Sequence, residues 1–363
     1  MRNQEQISST QAMKYVISTV LATAILFVPG ITAQKAAQDA WLSLIIAMIF
    51  GVFVAYMSSG LGLKFPNETI IQFSVTILGK PLGKFIGFIY VFYFFYVAYF
   101  VQRQFGELMN SVYMVRTPML VFIIIVTLLS CYVIYKGLEV LVRVNDIIII
   151  WMLIGLAAIF ILTAKDIQFV RFLPVFDSGL GAVIRGSFSP ASWLGESAII
   201  MMLIPFISDK GKVKKANVLA VIFLFLIMEL IILGAIGVLG VNFTQRNLFP
   251  MFSLARNVDI SYAPILERQE AVFMVIWVAG MLMKLSTFFY AGVLGLSQWL
   301  NICDYRPVVL PMGVIITSLS ILSWDNLIDL QRFSDEIFSP SIIFVNFFIT
   351  SLLYIASIVR MRA

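Results

Sequence analysis

The chain has 363 residues, 61% of them hydrophobic and 12% charged, with a mean hydropathy of +0.99. That much apolar surface excludes a soluble globular protein and points to a polytopic helical membrane protein. The formal charge of +6 is scattered among loops, which is no nucleic-acid signature, and with no histidine the commonest metal ligand is missing.

Hydropathy predicts ten spans: 13–33, 41–63, 82–110, 119–135, 141–164, 183–207, 216–241, 265–296, 308–323 and 337–359. Lysine and arginine favour the side that carries the N-terminus, most sharply at Lys210, Lys212, Lys214 and Lys215, so both termini are expected in the cytoplasm. The opening stretch 1–11 is long, polar and without a cleavage site, and is not read as a cleavable signal. Cys131 and Cys303 fall in or beside spans on the cytoplasmic side, where no structural disulfide is expected. The spans form one membrane domain, with repeats at about 12–164 and about 183–360.

Span 1 contains Ala22-Thr23-Ala24, then Phe27-Val28-Pro29-Gly30. The small residues permit close helix approach, and Pro29 removes a backbone donor. After span 2, Asn67 is expected to cap a short interfacial helix with Glu68 in its first turn. Span 3 is strongly aromatic; Tyr93, Val97 and Val101 share one face. Near its outer end Arg103 and Glu107 lie four apart, able to pair with each other or to gate an outward vestibule. In span 5, Asp146 is expected to pair with Arg143.

Span 6 carries Gly186-Ser187-Phe188-Ser189-Pro190-Ala191-Ser192-Trp193-Leu194-Gly195-Glu196. Proline and glycines weaken the helix, and Glu196 puts an ionisable group deep in an apolar stretch. Broken backbone in hydrocarbon is tolerated only against protein or a watery cavity. The two weak points, at 22–30 and 187–195, lie about 165 residues apart, and five spans run from each. Interrupted segments at matching places of two halves predict an inverted-repeat transporter fold with its site at the midplane. The fold class is therefore an all-α polytopic membrane protein of ten transmembrane helices, a 5+5 inverted repeat of leucine-transporter type with helices 1 and 6 broken. Lys284 in span 8 is too deep to be an interfacial base, so it either faces the bundle interior or snorkels along its stem. In a fold of this type a lysine amine can stand where sodium-driven members bind a cation, with Glu196 as counter-ion. On that reading Lys284→Met keeps the fold and abolishes activity. The acidic stretch 325–336 is read as an outer loop, solvated or facing another protein.

Asp39-Ala40-Trp41, Phe65-Pro66-Asn67-Glu68-Thr69, Leu173-Pro174-Val175, Ser192-Trp193-Leu194-Gly195-Glu196 and Glu267-Arg268-Gln269-Glu270 occur in this order. Over its whole length the chain resembles the B-type subunits of bacterial spore germinant receptors, which are grouped with the amino acid–polyamine–organocation transporters. The resemblance implies a sensor in the inner membrane of the dormant spore that binds a small nutrient, commonly an amino acid, and triggers release of ions and dipicolinate. It also implies two partners, an A-type membrane subunit and a C-type lipoprotein. Where relatives place glycines in the first span, this chain has Ala22 and Ala24.

The expected ligand site lies between spans 1 and 6, closed by spans 3 and 8. Its expected lining is Ala22, Thr23, Ala24, Val97, Val101, Ser192, Gly195, Glu196, Met283 and Lys284, with Arg103 and Glu107 as a gate. The competing readings are a proton-coupled amino acid permease, using Glu196 or Lys284, and a channel-forming or structural subunit. Without histidine, paired metal ligands or a nucleophile–base constellation, no catalytic residue, metal or cofactor is expected.

Overall fold

The computed structural model describes residues 5–256 and 269–362. The spans are α1 (Ser9–Ala36), α2 (Ala40–Lys64), α3 (Lys80–Leu108), α4 (Met119–Lys136) and α5 (Leu138–Thr163) in the first half. The second half has α6 (Leu180–Gly195, continued by tighter turns to Phe206), α7 (Val213–Gly234), α8 (Gln269–Leu300), α9 (Arg306–Leu322) and α10 (Leu327–Phe333, continued to Arg362). Among the described residues eight apolar helices are long enough to cross a membrane, the first of them holding both α1 and α2; the shorter α9 completes the ten. The motif around Glu267 and Arg268, and Pro264 before it, lie outside the described residues.

Local chemistry sets the ends. Ser8 opens α1 with a capping box: its hydroxyl accepts from the Gln11 N–H at 3.1 Å, and its own N–H donates to Gln11 Oε1 at 3.0 Å. Gly137, at φ 104°, both ends α4 and begins α5, a reversal that a side chain would oppose.

The two halves pack as an inverted repeat requires. The first two helices of each half, α1, α2, α6 and α7, form one bundle in which α2–α6 contacts are matched by α1–α7 contacts. The third and fourth, α3, α4, α8 and α9, form a second group, and α8 reaches across to α1 and α5. The site therefore falls where the two groups meet.

Four local expectations are corrected. Helix α1 is not unwound: it is helical through Ala22, Thr23 and Ala24, with Pro29 inside it. Alanine favours the helix where glycine would loosen it, and Gly30 serves close packing instead, since a Cβ there would stand 3.0 Å from the Asn247 carbonyl. The interfacial helix Ile70–Leu78 is capped by Thr69, while Asn67 accepts from Lys210 at 2.9 Å. Asp146 takes Lys14 at 3.1 Å and Gln11 at 2.9 Å, because the N-terminal segment folds across it; Arg143 turns to Glu139 on its own helix. The acidic stretch 325–336 is mostly helix: α10 begins at Leu327, where Asn326 accepts from the Asp329 N–H at 3.0 Å.

Candidate functional site

Helix α6 changes character at Glu196. The α-helix ends at Gly195, tightens to 3₁₀ over Glu196–Ile199, and tightens again over Ile204–Phe206. Asn217 of α7 donates to the Ser197 carbonyl at 3.4 Å and to Ser59 of α2 at 3.0 Å, tying the irregular turn to two neighbouring helices. A transition of this kind is tolerated at membrane depth because it is enclosed by protein.

The change of turn aims Glu196 at α8. Lys284 Nζ donates to Glu196 Oε2 at 2.7 Å, to Glu196 Oε1 at 3.0 Å and to Thr23 Oγ1 of α1 at 2.7 Å. An ammonium has three protons, and all three are taken. Each of the three residues is 1% exposed. One turn before Lys284, Gly280 lets α8 approach α1; a Cβ there would stand 3.4 Å from that of Ala22. One turn further on, Thr287 bonds Thr19 at 3.1 Å, so α1 and α8 meet along a short polar seam.

The structure brings together Thr23, Glu196 and Lys284 of the expected lining residues. Ser192 is buried and donates to the Ser189 carbonyl at 2.7 Å in its own helix. Gly195 faces Phe50 of α2 and Asn346 of α10, not Lys284. Ala22, Ala24, Val97, Val101 and Met283 are buried and supply apolar packing. Arg103 and Glu107 pair at 2.7 Å, and the same guanidinium donates to the Ser320 and Ile321 carbonyls at 3.1 and 3.0 Å. These carbonyls close the C-terminal end of α9, where a cation is favoured by the helix dipole.

Sequence reasoning put Tyr93 on one face with Val97 and Val101 but missed Asn346 of α10, which bonds it at 2.8 Å, and the two threonines of the seam. Asp335 was also missed: it pairs with Lys35 at the C-terminal end of α1 at 2.6 Å and accepts from Ser189 of α6 at 3.4 Å. On the opposite side Ile7 pairs with the end of α6, its N–H donating to the Phe206 carbonyl at 2.9 Å and its carbonyl accepting from Ser208 at 3.0 Å. The Ser9 N–H and hydroxyl both donate to Asp209, each at 2.6 Å. Those two bonds hold the Asp209 carboxyl below the usual carboxylate range.

A family profile described as spore germination protein matches residues 6–328. The chain belongs to the spore germination protein family. It is 28% identical over 320 residues to Spore germination protein KB of Bacillus subtilis (strain 168), covering 87% of this chain and 84% of that protein. It is 28% identical over 302 residues to YndE of the same strain, covering 81% of each, and 24% identical over 353 residues to Spore germination protein A2, covering 95% and 93%. Among solved structures, that of MhsT in complex with L-phenylalanine aligns at TM-score 0.68 over 97% of this chain and 98% of that chain, with 14% identity. The likeness shows the fold. This family member is an integral membrane protein of leucine-transporter type.

Proposed function

We propose that this chain is the nutrient-sensing membrane subunit of a spore germinant receptor, and that its ligand is a small zwitterion such as an amino acid. The buried Lys284–Glu196 pair with Thr23 carries this reading, because it stands where the two helical groups meet. A zwitterion entering there exchanges partners: its ammonium takes Glu196 and its carboxylate takes the freed Lys284. The exchange buries no net charge, which in hydrocarbon would cost several kcal/mol per uncompensated ion. Contacts at both ends tie this assembly into one closed arrangement: outside, Lys35 of α1 meets Asp335 of α10, which also takes Ser189 of α6, and inside, Ile7 before α1 pairs with Ile207 after α6. The ligand shifts that arrangement by its differential affinity for a second one. Arg103 and Glu107 act at the outer rim, where a gate would open by releasing the α9 carbonyls.

In this reading the protein is one membrane domain in the inner membrane of the spore, with both termini cytoplasmic. It works with an A-type membrane subunit and a C-type lipoprotein and performs no catalysis. The test is nutrient-triggered germination of spores lacking related receptors and expressing this chain with its A and C subunits. Wild type responds to single amino acids, and variants altered at both Glu196 and Lys284 do not, at equal subunit levels. A wild-type response that survives their removal contradicts the site.

One observation favours a second reading, a proton-coupled amino acid permease. Glu229 of α7 buries Oε2 with no hydrogen-bond partner among the described residues, and an unpaired intramembrane carboxyl is a natural proton carrier. Vesicles containing this chain alone would then accumulate labelled amino acid along a proton gradient; a receptor subunit shows no such uptake.

A further inference from the structure

The buried Lys284–Glu196 pair is flanked by polar groups on one side and apolar groups on the other. Toward the side that carries the N-terminus, α1 presents Tyr15, Thr19 and Thr23, spaced i, i+4 and i+8, and α8 presents Lys284, Thr287 and Tyr290, spaced i, i+3 and i+6. Each set keeps to one helix face. The helices run antiparallel, so the sets meet rung by rung. Thr23 takes Lys284 at 2.7 Å, Thr19 meets Thr287 at 3.1 Å, and Tyr15 lies against Thr287 and Tyr290. None of the six is more than 1% exposed.

The middle rung can hold its protons in more than one way. Thr19 donates to the Tyr15 carbonyl at 2.8 Å or to Thr287, and Thr287 donates to the Met283 carbonyl at 2.7 Å or to Thr19. Two hydroxyl protons thus serve three contacts. The Tyr15 hydroxyl beside them is buried and closes no hydrogen bond of its own among the described residues. Successive rungs stand one helical turn apart, about 5.4 Å, which one water spans with two hydrogen bonds of about 2.7 Å.

The foot of the seam reaches a large polar cavity. Tyr290 borders this space of about 780 Å³ together with Glu5, Thr69, Gln298, Tyr305 and Arg306. Tyr305, Glu5, Tyr15 and Arg306 are the titratable and charged groups that bear on Tyr290. On the other flank of the pair the space closes. Ile25, Met152, Phe273 and Trp277 surround about 10 Å³, no more than the roughly 10–15 Å³ that one water needs. Phe105 stacks on Trp277 there at 5.9 Å.

We propose that protons reach the Lys284–Glu196 pair along this hydroxyl seam from the side of the membrane that carries the N-terminus, and from that side alone. Each hydroxyl accepts a proton on its oxygen and releases its own to the next group, so none keeps a charge. At the top Lys284 passes a proton to Glu196 and regains one from Thr23; Tyr93 of α3 is the other titratable group bearing on Glu196. The inference rests on the pair being the nutrient site, where a neutral Glu196 no longer takes the nutrient's ammonium. The test uses the full chain with Cys131→Ala and Cys303→Ser, in membrane vesicles of both orientations, carrying Thr287→Cys, Thr19→Cys or Leu26→Cys. Methyl methanethiosulfonate is small, uncharged and membrane-permeant and reacts with the thiolate, so its rate reports proton loss at each cysteine. Raising the pH from about 6 to about 7 on the N-terminal side should speed labelling of Thr287→Cys about tenfold, since a free thiol has a pKa of about 8.5. The same change on the opposite side should leave the rate unaltered. Thr19→Cys should behave alike and decides the matter if Thr287→Cys does not fold, whereas Leu26→Cys, on the closed flank, should follow neither compartment. Seam cysteines that follow the opposite compartment, follow both, or are never labelled overturn the proposal, as does an equal response at Leu26→Cys. Labelling needs no nutrient, so the path can fail while the germination assay upholds the site, and the reverse.

Discussion

Arg103 and Glu107 lie four residues apart on one helix, whereas Glu196 and Lys284 are 88 residues apart and share Thr23 with a third helix. Both pairs are buried in a membrane protein, and both satisfy their protons. The first is complete within α3 and uses its spare donors on the carbonyls that end α9, so it fastens two elements of one helical group. The second has one partner in each group, so relative motion of the groups must stretch it. A local pair can survive a conformational change intact; a pair between moving bodies reports that change. The same distinction separates a staple from a sensor.

Removing one partner of the central pair should have the largest effect. Lys284→Met leaves Glu196 charged and unpaired, at a cost of about 3–5 kcal/mol, typical of breaking a buried ion pair. The expectation that this single substitution spares the fold is therefore revised: thermal unfolding in detergent should show marked destabilisation. Glu196→Gln/Lys284→Met removes both charges and should recover most of that loss, a coupling that a double-mutant cycle measures directly.

At the Arg103–Glu107 pair the expected cost is smaller. Arg103→Met should lower stability by about 2–3 kcal/mol through the stranded Glu107 and the freed α9 carbonyls. Arg103→Met/Glu107→Leu should regain most of it and still germinate. A silent, stable double variant would show that the Arg103–Glu107 pair also takes part in sensing, and would collapse the contrast.

Lys35 and Asp335 are 39% and 27% exposed at the side chain, so Lys35→Ala should change stability by only about 0.2–1 kcal/mol. Because the bond joins α1 to α10 and, through Ser189, to α6, the variant should shift the nutrient concentration for half-maximal germination. High salt should mimic it. An unchanged dose response would remove Lys35–Asp335 from the set of closing contacts.

The smallest effect concerns the N-terminal latch. The Asp209 carboxyl is depressed by Ser9, so its contribution is present above the unfolded Asp pKa of about 3.9 and is lost as pH falls through the lower folded value. Hydrogen exchange at the Ser9 amide should therefore be protected at pH 6 and accelerate below about pH 4 relative to the intrinsic rate. Asp209→Asn should show no such pH step.

Much of the architecture was legible because hydrocarbon imposes it. Ten apolar stretches, a proline and glycines in span 6, and two charges deep in apolar sequence are costly features that few structures accommodate. Glu196 and Lys284 could be singled out for that reason, whereas Thr23 was named for an interruption that α1 does not have. The span 1 interruption was overread: Ala22 and Ala24 hold a helix that glycines would release. Thr19, Thr287 and Asn346 could not be singled out, because hydroxyls and amides are common in membrane helices and their pairing depends on helix rotation. Asp146 found Lys14 rather than Arg143 because the N-terminal segment returns to the bundle, and no local pattern encodes that path. The helix that opens α10 was taken for a loop because its charges read as solvent-facing. Asp335 is in fact held by Lys35, 300 residues earlier in the chain.

The most direct test compares wild type, Glu196→Gln, Lys284→Met and the double variant in spores lacking related receptors, with subunit levels and unfolding midpoints measured in parallel. The account predicts that both singles are destabilised, that the double regains normal stability and abundance, and that the double stays silent to every nutrient that triggers wild type. A double variant that is abundant, stable and germinates at wild-type nutrient concentration would contradict it.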